Sequence, residues 1–466
     1  NVSAKELAQA WKDTANKIRI RANEAGMRIA NREDWGLPQL HNNELVLLFC
    51  NNDIESIVIY VASLIRKSPI YLIDANTSKN FYEKTVINYE PEIIVIAKSK
   101  EFENKNYFKF EFFKEYVFYK KKKFKKNIIN KNLSILLTTS GTTGTQKLAK
   151  ISHKNILKNT ISIKKYLKIN KDHTTITTLP MFYSYGLSVI NSHLYSGGKI
   201  ILSNLSLFDK IFWADLEKFR VNNIATVPFF FDIFKKLKVE KFNFKYLKYI
   251  TVAGGALDKT NELYFNKLFK KKGVDLIKMY GSTEASPRMS YLNPRYNFSK
   301  LGSIGKAIPG GKLHLKDDND KKIEKTDTIG QIIYKGPNIF MGYANSRKDL
   351  ETDETPKELN TGDLGYYDKQ NFFYLVGRKK RFAKIYGHRV NLDEVEKMIK
   401  KYGFENAVVS NDKKIQVFLK KNDQLKIADI LNRELKINKS FLEFIFVKDL
   451  PINKSGKINY EKLKRL

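Results

Sequence analysis

From Glu44 onward the chain alternates short apolar runs with stretches of helical period. Val46–Cys50 is apolar throughout, a helical pattern covers Ile54–Ile65, and Ile70–Ile73 and Glu92–Ala97 follow as further strand-sized runs. Runs of this length without polar alternation suit strands covered on both faces, so buried parallel strands joined by helices are predicted. The pattern returns at Thr174–Thr178, Lys199–Leu202, Ile224–Val227 and Lys248–Ala253. After Gly311 it changes to strand pairs with polar turns, such as Lys312–Leu315 and Ile332–Lys335, which predicts a smaller β-rich subdomain. The expected fold is α/β: a large N-terminal domain of stacked α/β sheets plus the β-rich subdomain over residues 1–377, and a small C-terminal α+β domain over residues 378–466. Length agrees, because single cores stop growing near ~250–300 residues and this chain has 466.

Residues 1–40 differ from the rest, being rich in Ala and Arg with an amphipathic helical pattern through Leu7, Trp11, Ile18 and Ile20. They read as a helical appendage on the large domain or as a segment of separate origin. No apolar run approaches the ~20 residues a spanning helix needs, and the start lacks a signal-peptide pattern, so a cytoplasmic protein without a membrane span is expected. Cys50 is the single cysteine, at the end of an apolar run, which excludes an internal disulfide and suits core packing.

The formal charge of +35 changes the picture of possible partners. Most of the excess is lysine spread along the chain, which argues for a general bias and against nucleic acid as the expected partner. The densest stretch, Lys114–Lys131, interleaves Phe118, Tyr119 and Phe124 and reads as a solvated basic loop, with a docking patch for an acidic protein or a phosphate-bearing ligand as the alternative.

Candidate chemistry begins between the apolar run Leu133–Leu137 and a helical stretch starting at His153. There the sequence reads Thr138, Thr139, Ser140, Gly141, Thr142, Thr143, Gly144, Thr145, Gln146, Lys147. Hydroxyls, glycines and a terminal lysine at this density make a loop able to wrap polyphosphate oxygens. A Walker A loop ends in Gly-Lys-Ser/Thr, and this one does not.

This loop resembles the phosphate-binding signature of the adenylate-forming superfamily, which includes acyl-CoA synthetases, carrier-loading adenylation domains and luciferases. Further segments resemble the same family's signatures in the same order. Leu179–Gly186, with Phe182, Tyr183, Tyr185 and Gly186, is similar to the aromatic segment beside the acyl pocket. Ala253–Leu257, with Gly254, Gly255 and Ala256, is similar to the glycine turn that contacts adenine. Tyr280–Glu284 resembles the motif in which an aromatic stacks on adenine, followed here by Gly281, Thr283 for a phosphate and Glu284 for magnesium. Gly302–Gly305, Gly330–Ile332, Thr361–Asp363, Gly377–Arg378, Gly387–Val390 and Leu450–Lys457 complete the series. The resemblance implies ribose binding by Asp363, a ribose or phosphate contact by Arg378, a hinge at Lys380 and a thiol-side segment at Gly387 and Arg389. It also implies a mobile small domain that delivers Lys457 for adenylation and then admits a pantetheine thiol.

The resemblance implies an ATP-dependent acid-thiol ligase, which makes an acyl-adenylate and passes the acyl group to CoA or a phosphopantetheinyl carrier protein. ATP and Mg2+ are the expected cofactors, with Lys457, Lys147, Thr283 and Glu284 as catalytic groups. A carboxylate attacking the α-phosphorus meets like charge, so neutralisation and alignment must carry the catalysis. Three departures stand out: Gln146 and Leu148 replace a usual proline and glycine, and Tyr183 stands where many acyl-CoA synthetases have a histidine. Neither that histidine nor an amine-pairing Asp is present, and the aromatic triplet fits a small or medium acid. An amino-acid-activating, carrier-loading enzyme is one alternative. A catalytically inactive relative holding RNA or protein on its basic surface is another, though such a relic has no physical need for Lys147, Glu284, Asp363 and Lys457 together.

Overall fold

The computed structural model describes residues 40, 43–100, 102–123, 128–139, 147–385, 388–411, 414–435, 437–452 and 458–464. The amphipathic segment predicted over residues 1–40 lies outside them, apart from Leu40.

The first seven strands are β1 (Val46–Cys50), β2 (Ile70–Asp74), β3 (Ile93–Ala97), β4 (Tyr107–Phe113), β5 (Tyr116–Lys121), β6 (Leu133–Thr138) and β7 (Leu148–Ser152). β1 pairs in parallel with β2 and β3, and β2 with β6, as continuous apolar runs predict. The helix Ile54–Arg66 starts where Asp53 accepts a hydrogen bond from the Ser56 amide at 2.7 Å, and the helix His153–Leu167 starts on a Ser152–Asn155 capping box. Both faces of this sheet carry core. Leu48 and Ile57 belong to one buried cluster, and Leu47 and Val86 to the other.

Within the basic stretch Lys114–Lys131, residues 116–121 form a strand where a solvated loop is expected, while Lys122 and Lys123 after it are exposed. This strand, β5, is paired on both edges, with Phe118 at 0 % exposure. The tetrad Tyr116-Val-Phe-Tyr119 drives this burial, while Lys120 and Lys121 at its end reach Glu44 at 3.3 Å and Glu90 at 2.6 Å. Phe124 lies outside the described residues.

The second sheet contains β8 (Thr174–Ile176), β9 (Lys199–Ile201), β10 (Asn223–Thr226), β11 (Tyr249–Val252) and β12 (Asp275–Gly281), all parallel to their neighbours within that group. From β12 it continues without a break through antiparallel strands: β13 (Arg288–Tyr291), β14 (Ser303–Ala307), β15 (Lys312–Lys316), β16 (Lys322–Ile323) and β17 (Gly330–Lys335). β18 (Tyr343–Ala344) crosses to the first sheet and adds to the edge of β7, and β19 (Leu359–Tyr367) and β20 (Phe373–Arg378) return to the second. The β-rich part therefore extends the parallel sheet.

Beyond β20 come a two-stranded pair, β21 (Phe382–Ile385) with β22 (His388–Asn391), and a three-stranded sheet of β23 (Asn406–Ser410), β24 (Ile415–Leu419) and β25 (Leu442–Phe446). The helices Leu392–Lys401 and Gln424–Leu435 supply Val395, Ile399, Ile427 and Leu431 to a separate apolar cluster there. Among the described residues, no helix is long and apolar enough to cross a membrane.

Candidate active site

Parallel topology decides where most of the singled-out residues meet, because loops leaving the carboxyl ends of neighbouring parallel strands share one edge of the sheet. The aromatic segment follows β8, the glycine turn follows β11, and the Tyr280–Glu284 segment begins in the last two residues of β12 and runs past its end. Gly254 adopts φ +89, and Gly255 and Ala256 follow it before the helix Lys259–Lys271. A side chain at Gly281 would put its Cβ 1.9 Å from the Pro287 carbonyl oxygen, so only glycine allows β12 to turn there.

Thr139 and Lys147 sit where the β6–β7 hairpin opens, with the Thr139 hydroxyl donating to the Lys147 carbonyl at 3.0 Å. Ser140, Gly141, Thr142, Thr143, Gly144, Thr145 and Gln146, the predicted phosphate loop between them, lie outside the described residues. Leu148 opens β7 and is buried opposite Thr138. Lys147 Nζ stands 5.5 Å from the Tyr343 ring centroid, and the Tyr343 hydroxyl donates to Glu284 Oε1 at 2.9 Å. A lysine just before β7, an aromatic from β18 and a carboxylate from the short 3-10 turn Thr283–Ala285 thus converge from three distant parts of the chain. Burial and the neighbouring Glu284 charge push the Tyr343 hydroxyl up, so it stays a donor at neutral pH.

Thr283, beside Glu284, exchanges a hydrogen bond with Ser184 at 3.1 Å, which ties the aromatic segment to the turn. Asn52, at the end of β1, holds that segment by bonding the Leu179 carbonyl at 3.1 Å and the Met181 amide at 3.0 Å. Within the segment Phe182 and Tyr183 are half-buried, Tyr185 is buried with its hydroxyl against Thr251 at 2.8 Å, and Gly186 lies against the Pro180 carbonyl.

Tyr280 is 8 % exposed and donates to Asp363 Oδ2 at 2.6 Å. Asp363 faces Arg378 across the β19–β20 ladder, with Arg378 Nε 3.3 Å from Oδ1. Burial raises the Asp363 carboxyl above its ordinary value, opposed by Arg378 and by the Tyr280 hydrogen bond.

Lys380 lies in the 3-10 turn Lys379–Arg381 directly after β20, and the backbone of Arg389 pairs with Lys384 in the β21–β22 hairpin. Gly387 and Lys457 lie outside the described residues. Ile452 and Ile458, which flank the Lys457 segment, bridge each other.

Sequence reasoning missed Tyr343, Asn52 and Ser184. Tyr343 and Asn52 carry no local signal, whereas Ser184 lies inside the aromatic segment, which could have pointed to it.

A family model described as AMP-binding enzyme matches residues 39–344. The oxalate–CoA ligase of Saccharomyces cerevisiae is 27% identical over 343 residues, covering 70% of this chain and 62% of the yeast enzyme, so the match spans less than two thirds of that relative. A 2-succinylbenzoate–CoA ligase of Bacillus cereus is 29% identical over 344 residues, covering 71% of this chain and 69% of that protein. Among solved structures, the O-succinylbenzoate coenzyme A synthetase of Bacillus subtilis in complex with AMP superposes with a TM-score of 0.74 at 20% identity, over 99% of this chain and 92% of that one. The same enzyme with ATP and magnesium ion gives 0.73 at 19% identity, over 99% and 94%. At these identities the structural likeness establishes the fold.

Proposed function

This chain belongs to the AMP-binding enzyme family, and from that premise we propose that it is an ATP-dependent acid-thiol ligase. It adenylates a carboxylic acid, releases pyrophosphate and transfers the acyl group to a thiol. The observation that carries this reading is the convergence of Lys147, Tyr343 and Glu284 beside Thr283, together with the linked set of buried Tyr280, half-buried Asp363 and exposed Arg378.

The arrangement suits the reaction's electrostatics. Lys147, at the mouth of the Ser/Thr/Gly loop, offers positive charge to the β and γ phosphates of ATP, and Asp363 offers acceptor oxygens to the ribose hydroxyls. Glu284 is a single carboxylate with one oxygen oriented by Tyr343. Among the described residues, no group of three His, Cys, Asp or Glu side chains could hold a metal by itself. That donor set fits magnesium, which keeps several waters and shares one or two protein carboxylates with substrate phosphates. Bound in that way, it neutralises phosphate charge. Lys457, carried by residues 378–466 as a small lid hinged at Lys380, supplies a positive group to the α-phosphate and the attacking carboxylate.

CoA is the proposed acceptor, since the relatives named above are CoA ligases. An acidic carrier protein is a second reading, favoured by the net charge of +35. Incubation with ATP and an acid panel, with mass-spectrometric detection of acyl-CoA and of acylated carrier, tests both. Thioester formed on CoA alone removes the carrier, and absence of acyl-AMP and of any thioester overturns the ligase.

A further inference from the structure

Lys150 stands in the middle of β7, three residues after Lys147, and is 0 % exposed. Its strand neighbours Leu148, Ala149 and Ile151 are apolar and buried, so a lysine between them breaks the pattern. Removing an ammonium from water is costly unless other oxygens replace the solvent. Here the Lys150 ammonium donates to the Asp349 carbonyl at 2.7 Å, the Thr352 carbonyl at 3.1 Å and the Thr352 hydroxyl at 3.1 Å. Its three protons thus have three oxygens within reach. Among the described residues no carboxylate forms an ion pair with it, although Glu354, Asp349 and Asp353 act on its charge from farther off.

The three oxygens belong to the return arm of a loop. The chain pairs with β7 as β18, turns at Lys348–Leu350 and comes back, where the Glu354 amide donates to the Met341 carbonyl at 3.0 Å. Lys150 holds both arms. Its own amide donates to the Gly342 carbonyl at 3.0 Å and its carbonyl accepts from the Met341 amide at 2.8 Å, while the ammonium takes the return arm. Arg347 ties the far side of the loop to Glu92 at 2.7 Å and to the Tyr89 carbonyl at 3.3 Å. Among the described side chains of β7, Lys150 is the one bonded to residues 349–352. Tyr343 rides on the first arm, packed edge-on against Phe340 at 4.8 Å, with its hydroxyl on Glu284 and Lys147 over its ring. The Phe340 amide donates to the Glu284 carbonyl at 2.9 Å, so this arm meets the Glu284 turn through backbone and side chain alike.

We propose that Lys150 is a positioning residue for the magnesium-binding carboxylate: by clasping the two arms of the 341–354 loop it fixes Tyr343, and through Tyr343 it fixes Glu284. This rests on the reading above in which Glu284 holds magnesium. Lys150 itself carries no chemistry. A methionine fills similar space but leaves three oxygens without their donor, so the return arm separates from β7 and Tyr343 loses the support that aims its hydroxyl.

The experiment measures ATP binding by calorimetry across a magnesium series, which needs neither acid nor turnover. ATP affinity of the wild type should rise with magnesium, and the magnesium concentration giving half of that rise is the readout. Lys150→Met should raise this concentration roughly 10-fold, as for a partner of a metal-binding group, with little change in the affinity measured without magnesium. Lys150→Arg keeps the charge and the donors and should recover part of the loss. Thr352→Val removes one acceptor from the exposed return arm and should shift the readout the same way by roughly 2–5-fold. It decides the matter should circular dichroism show that Lys150→Met fails to fold. Because Lys150 acts through Tyr343, the double variant Lys150→Met with Tyr343→Phe should be no worse than the more affected single variant, whereas independent effects multiply. Multiplying effects overturn the proposal. So does an unshifted readout in folded Lys150→Met, or in Thr352→Val where that variant is the one that folds, and so does an equal loss with and without magnesium. Wild-type ATP binding that magnesium does not alter removes the proposal together with the metal assignment. Magnesium-dependent ATP binding without activation of any acid removes the ligase alone and leaves the role of Lys150 standing.

Discussion

The Tyr280 hydroxyl donates to Asp363 Oδ2 at 2.6 Å, joining two motifs that lie 83 residues apart in sequence. With Arg378 against the other oxygen, the carboxylate is held in orientation while its burial raises its pKa above the ordinary 3.8. To accept from ribose hydroxyls, the role proposed for Asp363, a carboxylate must be ionised. ATP affinity is therefore expected to fall as pH drops through the raised value, on an acid limb lying above 3.8. Asp363→Asn should lack that limb and bind ATP roughly 10–10²-fold more weakly at neutral pH. The same raised carboxyl adds stability at low pH that is lost as pH rises through its folded value, so the variant's stability should depend less on pH there. Calorimetric ATP titrations across pH check the first part and melting curves the second.

Tyr343 orients Glu284 and sits under Lys147 without carrying chemistry of its own. Partners of a metal-binding group, the role proposed for Glu284, typically matter by about 10–100-fold in metal affinity or activity. Tyr343→Phe should accordingly raise the magnesium concentration giving half-maximal activity by roughly 10-fold or more, with a smaller change in the KM for the acid. A magnesium titration of both proteins checks this, and superimposed curves would remove Tyr343 from the site.

Two histidines make the fold sensitive to acid. Burial pushes His153 and His193 down from 6.5 to about 4, with Lys67 adding to the first. Between about 4 and 6.5 the unfolded chain binds more protons than the folded one, so stability rises with pH across that window. Melting temperature should fall as pH is lowered through it, each group contributing about 3 kcal/mol over the whole range. His193→Gln should show a shallower slope than the wild type, whatever its absolute stability.

In the C-terminal part, Arg381 stacks on Tyr460 at 4.1 Å while both bond Glu396, which ties the segment after β20 to the helix following the Lys457 region. Removing a hydrogen bond inside such a cluster costs about 1–3 kcal/mol. Tyr460→Phe should lose protection of the β23 amides in hydrogen exchange by that amount while leaving β1 and β2 unchanged. Equal loss in both regions would mean the two parts unfold as one unit.

The fold was most legible where local signals agreed. An apolar run followed by a stretch of helical period gave β1 and the helix Ile54–Arg66 to within a residue. It was least legible where lysines hid an apolar core, as in β5, and where long-range register decides the outcome, as in the strands that extend the second sheet beyond β12. The motif residues at strand ends could be named in advance because their segments resemble the family's signatures in order. Tyr343 could not, since a lone tyrosine in a strand acquires a role only from what the fold puts opposite it.

The central claim is that this chain activates an acid by adenylation, using positive groups from both ends of the motif series. Acid-dependent exchange of labelled pyrophosphate into ATP tests it most directly. The wild type should catalyse this exchange, and Lys457→Ala should lower it roughly 10²–10³-fold, as for loss of one transition-state donor, while still transferring the acyl group of a supplied acyl-adenylate. An exchange signal that is absent with every acid, or that Lys457→Ala leaves unchanged, would contradict it.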